Sequence, residues 1–289
     1  MIISAQNRIY ILLILFFCSG TNAEFIVSLR SPETASDQRE SYSYELVKLA
    51  LEKTNMNYGS YKIVGIPAMN ITRSMHSLER DTYKNLLVEL SYDEKLEREY
   101  NLIYVKFPVE LGITGYRICF INPSKIEYVK SIKNISELQK LIIGQGFSWA
   151  DTGILRHNGF NVVEISNYES LFKMVIAGRI DLFCRGANEL FNEYESYKNM
   201  GNLIYDTSFA IFYPLPRFYY LHKNNAAAKE RIEKGLIAAY EDGSLQALWL
   251  KYFMPSIQFA NLNHRRMYIL ENPLIKSLAN DYEKYFYKP

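Results

Sequence analysis

The residues LIIGQGFSWADT, Leu141 to Thr152, place a Gly-Gln-Gly turn between an apolar run and a helix-like pattern. A glycine turn feeding a helix start presents unpaired N–H groups and a partial positive charge, together favouring an anion by roughly 0.3–1 kcal/mol. Gly146 allows a close backbone approach, and the hydroxyls of Ser148 and Thr152 add donors. Ser148 is predicted as the N-cap with Asp151 three residues on, and Trp149 offers a stacking face. A dinucleotide phosphate fits poorly, because Trp149 stands where the third glycine of G-x-G-x-x-G belongs.

Arginine is the other candidate anion partner, because its guanidinium meets a carboxylate or phosphate through two parallel hydrogen bonds. Arg185 follows the apolar IDLFC, with Glu189 one helical turn on as an internal neutraliser. Arg117 lies in GYR, Arg73 opens the helix-like NITRSMH, and Arg98 closes EKLER. Tyr213 and Tyr219 flank PLPRF and are predicted as an aromatic wall, while Asp181 reads as a structural strand-end residue. The four histidines, His76, His157, His222 and His264, show no metal-ligand spacing. There is no G-x-S-x-G elbow and no Walker motif. No catalytic residue, metal or cofactor is therefore expected; Glu189 or Asp151 would act as a base only in a cleft that raised its pKa.

These residues sit in an alternation of strands and helices. EFIVSLR, YKIVGIP and NLLVELS read as strands separated by the helices SYSYELVKLALEKT and NITRSMHSLERD; YDEKLEREY then leads into a long strand, NLIYVKFPVEL. A second such series runs from GYRICFI to RIDLFCR, and AAAKERIEKGLIAAYEDGSLQALWLKYF reads as two helices broken at Asp242-Gly243. The pattern predicts two α/β lobes with mainly parallel sheets. Lobe 1 takes residues 24–112 and 215–289, lobe 2 takes residues 113–214, and the last 36 residues wrap the surface.

Residues 1–23 read as a signal peptide, with Arg8 before the apolar run Ile9–Phe17 and Thr21-Asn22-Ala23 at the cleavage site. The protein is thus expected in the periplasm as a monomer. With 33 basic against 31 acidic residues there is no basic stripe for a nucleic-acid partner. Cys119 and Cys184 lie in apolar strand-like runs, which predicts two buried thiols; export leaves pairing open.

LVKLALEKT, LSYDEKLER, GRIDLF, YYLHKNN and DGSLQALWLKYF occur in an order and spacing that resembles the type II periplasmic solute-binding proteins. The amino-acid receptors of ABC transporters are the most similar branch. GQGFSWADTGIL, NYESLF and the Arg-Gly after IDLF are similar to an exported group labelled transporter substrate-binding-domain proteins. The resemblance implies a two-lobed fold joined by two crossovers, with a small solute held between the lobes and presented to a membrane permease or sensor. In those receptors a carboxylate just after the GRID strand takes the ligand's ammonium; here Arg185 lies within one residue of that place. Arg98 stands, after a two-residue insertion, near the receptors' carboxylate-binding arginine. The expectation is a small anionic or amino-acid-like metabolite. A sensory module without transport and a lyase or hydrolase on this fold are the alternatives.

Overall fold

A computed structural model describes residues 24–32 and 39–289; the predicted signal peptide, residues 1–23, lies outside the described residues. The first sheet contains β1 (Phe25–Arg30), β2 (Tyr61–Ile66), β3 (Leu86–Ser91), β4 (Leu102–Tyr104) and, after an excursion, β11 (Arg217–His222). The second contains β5 (Tyr116–Ile121), β6 (Ile142–Gly146), β7 (Asn161–Ile165), β8 (Leu182–Gly186), β9 (Ile204–Tyr205), β10 (Phe209–Phe212) and β12 (Arg266–Ile269). Their orders are β2-β1-β3-β11-β4 and β12-β10-β5-β8-β6-β7, with β9 pairing β5. The chain thus forms two α/β lobes.

Both sheets are mixed rather than mainly parallel. β11 runs antiparallel to β3 and β4, and β5 runs antiparallel to β8 and β10. At the crossovers this follows from connectivity, since β4 carries the chain out of lobe 1 and β11 brings it back, and β5 enters lobe 2 where β10 leaves it.

Helices α1 (Arg39–Lys53), α2 (Asn55–Tyr58), α3 (Ile71–Glu79) and α4 (Glu94–Tyr100) belong to lobe 1. Lobe 2 contributes α5 (Ile126–Ser131), α6 (Ile135–Leu138), α7 (Ala150–His157), α8 (Tyr168–Ile176) and α9 (Leu190–Tyr197). The last pair, α10 (Ala226–Glu241) and α11 (Ser244–Ala260), breaks at Asp242-Gly243 as the sequence predicts, with Gly243 in the left-handed region at φ 82°. The predicted long strand after Asn101 is confined to β4, and YDEKLEREY supplies α4, capped by the Asp93 side chain.

Two extended segments join the lobes and lie side by side. Val105 and Val109 N–H donate to the carbonyls of Tyr219 and Arg217 at 2.9 Å each, and Tyr213 N–H to Gly115 at 3.2 Å. Leu111 and Gly112 between them are left-handed, at φ 51° and 75°. A non-glycine residue there is uncommon, and Leu111 is buried. One apolar cluster passes through the crossover, from Val27 and Leu46 via Phe107, Val109 and Ile113 to Phe120 and Phe172.

The C-terminal segment does more than wrap lobe 1. β12 pairs in parallel with β10 at the edge of the second sheet, whereas Leu278 and Tyr282 pack into the lobe-1 cluster of Leu86, Phe218 and Tyr220. Tyr287 N–H then donates to the Leu111 carbonyl at 2.8 Å.

Cys119 and Cys184 form a disulfide, correcting the expectation of two free thiols. They are direct partners in the β5–β8 register, a relation spacing along the chain could not reveal.

Candidate functional site

Between the sheets lies a cavity of about 520 Å³ lined by both lobes. Its walls are the residues just beyond the carboxyl ends of the strands. Arg30 ends β1, Asn70 to Thr72 open α3 after β2, and Ser91 ends β3; in lobe 2, Gly146 to Asp151 follow β6, Ser166 follows β7, and Asn188 and Glu189 follow β8. Open α/β sheets place ligands at such carboxyl ends, where loops converge on a rigid support.

The predicted Gly-Gln-Gly turn is instead the end of β6: of its three residues Gly146 lines this wall, and the turn follows at Phe147 and Ser148. α7 starts at Ala150, and Ser148 is not its cap: Ser148 is left-handed at φ 63°. The Phe147 N–H donates to Ile165 at 3.0 Å and the Trp149 N–H to Gly146 at 3.1 Å, which tightens the turn around Ser148. Gly146 is required because a Cβ there would collide with the Trp149 ring. Thr152 is buried and outside the cavity lining. Asp151, in the first turn of α7, already places a carboxylate at the helix start.

That carboxylate belongs to a buried network. Asp151 Oδ1 accepts from Arg117 Nη2 and from the Tyr213 hydroxyl, and Arg117 Nε donates to the same hydroxyl at 3.0 Å. Arg117 Nη1 lies 3.6 Å from Glu189 Oε2. Glu189 Oε1 accepts from Arg185 Nη2, whose Nε donates to both oxygens of Glu193 at 2.9 Å. Tyr168 closes the series, its hydroxyl donating to Glu193 at 2.6 Å. The guanidinium of Arg185 lies 4.7 Å from the centroid of Trp149, 5.7 Å from Tyr168 and 5.6 Å from Phe183. Glu189, which burial alone would make a weaker acid, is instead held below the usual carboxylate range by Arg185, Arg117 and Arg217. The same carboxylates hold Arg185 and Arg117 above the ordinary arginine range against the opposing effect of burial.

Arg217, at the start of β11, links the crossover to lobe 1. Its Nε is 3.3 Å from Glu89 and its Nη1 3.4 Å from Glu110. Glu110 also accepts from the Thr114 hydroxyl and from Asn188 Nδ2 at 3.3 Å. Burial, with Glu89 and Glu189 nearby, outweighs Arg217 and pushes the Glu110 carboxyl up to about 8. The Oδ1 of Asn188, a residue 2% exposed in the cavity wall, has no hydrogen-bond partner among the described residues.

The remaining candidates fall elsewhere. Arg73 is exposed, its backbone N–H donating to the Asn70 cap; Arg98 is exposed on α4 beside Glu94 and Glu99. Neither lines the cavity. Tyr213 and Tyr219 are fully buried behind the wall, Tyr219 bonding Ser43 Oγ at 2.9 Å. Exposed Phe147 and the rings of Trp149, Tyr42 and Tyr252 face the cavity instead. Asp181 accepts from the Ile142 N–H at 2.9 Å at a strand start, a structural position. Arg30, Glu40, Glu89, Glu110, Asn188, Glu193 and Arg217 line the cavity without having been singled out from sequence. Arg30 could have been found, since it is the last residue of a predicted strand; the others depend on pairing between distant segments. Among the described residues no cluster of His, Cys, Asp and Glu could hold a metal, and no helix is long and apolar enough to cross a membrane.

No family model matches the chain, and no curated protein matches it in sequence. Its structure does match solved ones. The GluR0 ligand-binding core from Nostoc punctiforme, in complex with L-glutamate, is 16% identical with a TM-score of 0.57, over 79% of this chain and 99% of that one. An ancestral arginine-binding protein bound to arginine is 16% identical with a TM-score of 0.58, over 80% and 98%. A histidine kinase sensor domain with similarity to periplasmic binding proteins is 15% identical with a TM-score of 0.57, over 79% and 95%. These likenesses show the fold, that of the type II periplasmic binding proteins.

Proposed function

We propose that this protein is an exported solute receptor that closes its two lobes on a small amino-acid-like metabolite. The observation that carries the reading is the cavity of about 520 Å³ at the carboxyl ends of both sheets, beside the paired crossovers. That volume lies within the range of about 300–1,000 Å³ usual for small-molecule sites. Hinge closure about residues 105–115 and 213–216 would let each lobe hold part of the solute, so that binding favours the closed form.

The structure changes the weight given to an anion. Arg117, Arg185, Arg217 and Arg30 each have a carboxylate within 3.4 Å, Arg30 pairing Glu40 at 2.7 Å. An anion would have to compete with those residents. A zwitterion suits better, because the walls offer donors and acceptors together, including the unpartnered Asn188 oxygen. Gly146, Trp149, Arg117 and Arg185 are proposed to shape the lobe-2 wall; Arg73 and Arg98 lie outside the cavity and take no part.

Periplasmic location rests on residues 1–23 read as a signal peptide. A membrane permease or a sensor would read the closed form; the matched sensor domain and the matched arginine-binding protein keep both partners open to test. The enzyme reading has one observation in its favour, the acid Glu110 in the cavity wall, but its oxygens are already engaged by Thr114, Asn188 and Arg217.

The test is thermal unfolding of the purified protein, stripped of co-purified solute, against amino acids, organic acids, sugar acids, phosphates and polyamines. A solute at 100 times its dissociation constant adds about 2.7 kcal/mol, a midpoint rise of several degrees. A rise confined to amino acids supports the reading; a response to organic acids, sugar acids, phosphates or polyamines alone, or none, contradicts it.

A further inference from the structure

We infer that Arg185 is the resident occupant of a cation-binding recess in lobe 2, and that by filling it the chain keeps the cationic head groups of solutes away from Glu189 and Glu193. The recess is formed by three ring systems, Trp149, Tyr168 and Phe183, and two carboxylates, Glu189 and Glu193. Aromatic faces together with carboxylates in hydrogen-bond reach are the chemistry that draws guanidinium or ammonium out of water. Here the cation is supplied from β8 itself.

The fit is close. Arg185 is 4% exposed, its Nε donates to both oxygens of Glu193, its Nη2 serves Glu189 and Glu193, and its plane lies by Trp149. The collision that a Cβ at Gly146 would have with the Trp149 ring shows how closely that ring is folded back over the turn. The Cys119–Cys184 disulfide fixes the backbone one residue before Arg185. A tethered guanidinium forfeits no translational freedom on entering the recess, whereas a free one does. A dissolved cation therefore competes for the recess at a disadvantage.

The recess assignment stands on this geometry alone. Its consequence for solute choice rests on the solute-receptor reading: a zwitterion would place its ammonium away from Glu193, toward the Asn188 oxygen.

Arg185→Ala opens the recess while leaving both carboxylates and all three rings. The probe is methylguanidinium chloride at millimolar concentration, with sodium chloride at equal ionic strength as control and the melting midpoint as readout. The expected result is a rise of about 2–4 °C for Arg185→Ala once the probe exceeds its dissociation constant several-fold. Wild type and Arg185→Lys, whose recesses stay filled, should not respond. No rise beyond the salt control, or an equal rise in wild type, overturns the assignment. If Arg185→Ala does not fold unaided, refolding yield is read instead: a yield raised by methylguanidinium supports the recess, and equal yields in probe and salt, zero included, overturn it. The solute panel on wild type is a separate arm, so an empty panel with a rescued variant defeats the receptor reading and leaves the recess standing.

Discussion

On the lobe-2 wall of the cavity the charged groups are buried and matched: Arg117 and Asp151 are 3% and 5% exposed, and Arg185 is held between Glu189 and Glu193. The lobe-1 wall, formed by Asn70 to Thr72, Ser91, Asp93 and the Arg30–Glu40 pair, is partly exposed, and its largely buried charge is confined to Glu89, Arg217 and Glu110 beside the crossover. Both walls are polar, yet only one would be costly to rearrange. A buried charge that loses its partner is uncompensated in a weakly screening interior, whereas a group near water finds a substitute. Lobe 2 is therefore the fixed template, and adaptation to a solute falls to lobe 1 and the hinge.

The largest effect that can break this contrast is at the centre of the lobe-2 network. Asp151→Ala leaves Arg117 buried beside Tyr213 and is expected to cost about 3–5 kcal/mol in denaturant unfolding. A cost below about 1 kcal/mol would mean that the wall is wet and adaptable after all. Next comes the disulfide behind that wall. Cys119 and Cys184 are 65 residues apart in sequence, so a double Cys→Ser variant should lose about 4 kcal/mol by the loop-entropy estimate, with the loss appearing in unfolding of the whole chain.

Glu110 stands between the walls, and it gives the pH dependence. Its folded pKa, about 8, is above that of an unfolded carboxyl, so the unfolded chain gives up this proton first as pH rises. The contribution to stability is fully present below the unfolded pKa and is lost as pH climbs through the folded value. Wild type should therefore lose on the order of 1–3 kcal/mol relative to Glu110→Gln between about pH 5 and pH 8. Parallel stability curves for the two proteins would show that Glu110 is ionised throughout.

Gly146→Val forces a branched side chain against Trp149 and should cost about 1–3 kcal/mol, with loss of solute response. A variant that melts and binds like wild type would remove the turn from the template. The smallest effect belongs to lobe 1. Asn70→Ala deletes the cap that accepts from the Arg73 N–H at 3.0 Å and should cost about 1 kcal/mol while altering solute affinity more than stability.

The alternation of strands and helices was legible because each element carries its own periodicity and stop signals, as at Asp242-Gly243. The mixed sheets and the seat of β12 were not, since strand partners are chosen between segments far apart in sequence. The same limit governs the site. Gly146, Trp149, Asp151, Arg117 and Arg185 lie at or near the ends of strands and the start of α7, and the structure sets them along the cavity. What those side chains touch depends on pairings such as Arg117 with Asp151, 34 residues apart, and Cys119 with Cys184, set by strand register. Arg73 and Arg98 show the converse, since arginines at helix ends look alike whether they face a cleft or water.

The most direct test of the central claim is small-angle X-ray scattering of the purified protein with and without a solute that raises its melting midpoint. The account predicts that the radius of gyration falls on saturation, because the lobes close about the paired crossovers. A solute that stabilises the protein with no change in its scattering would contradict closure between the lobes and would place binding outside the cleft.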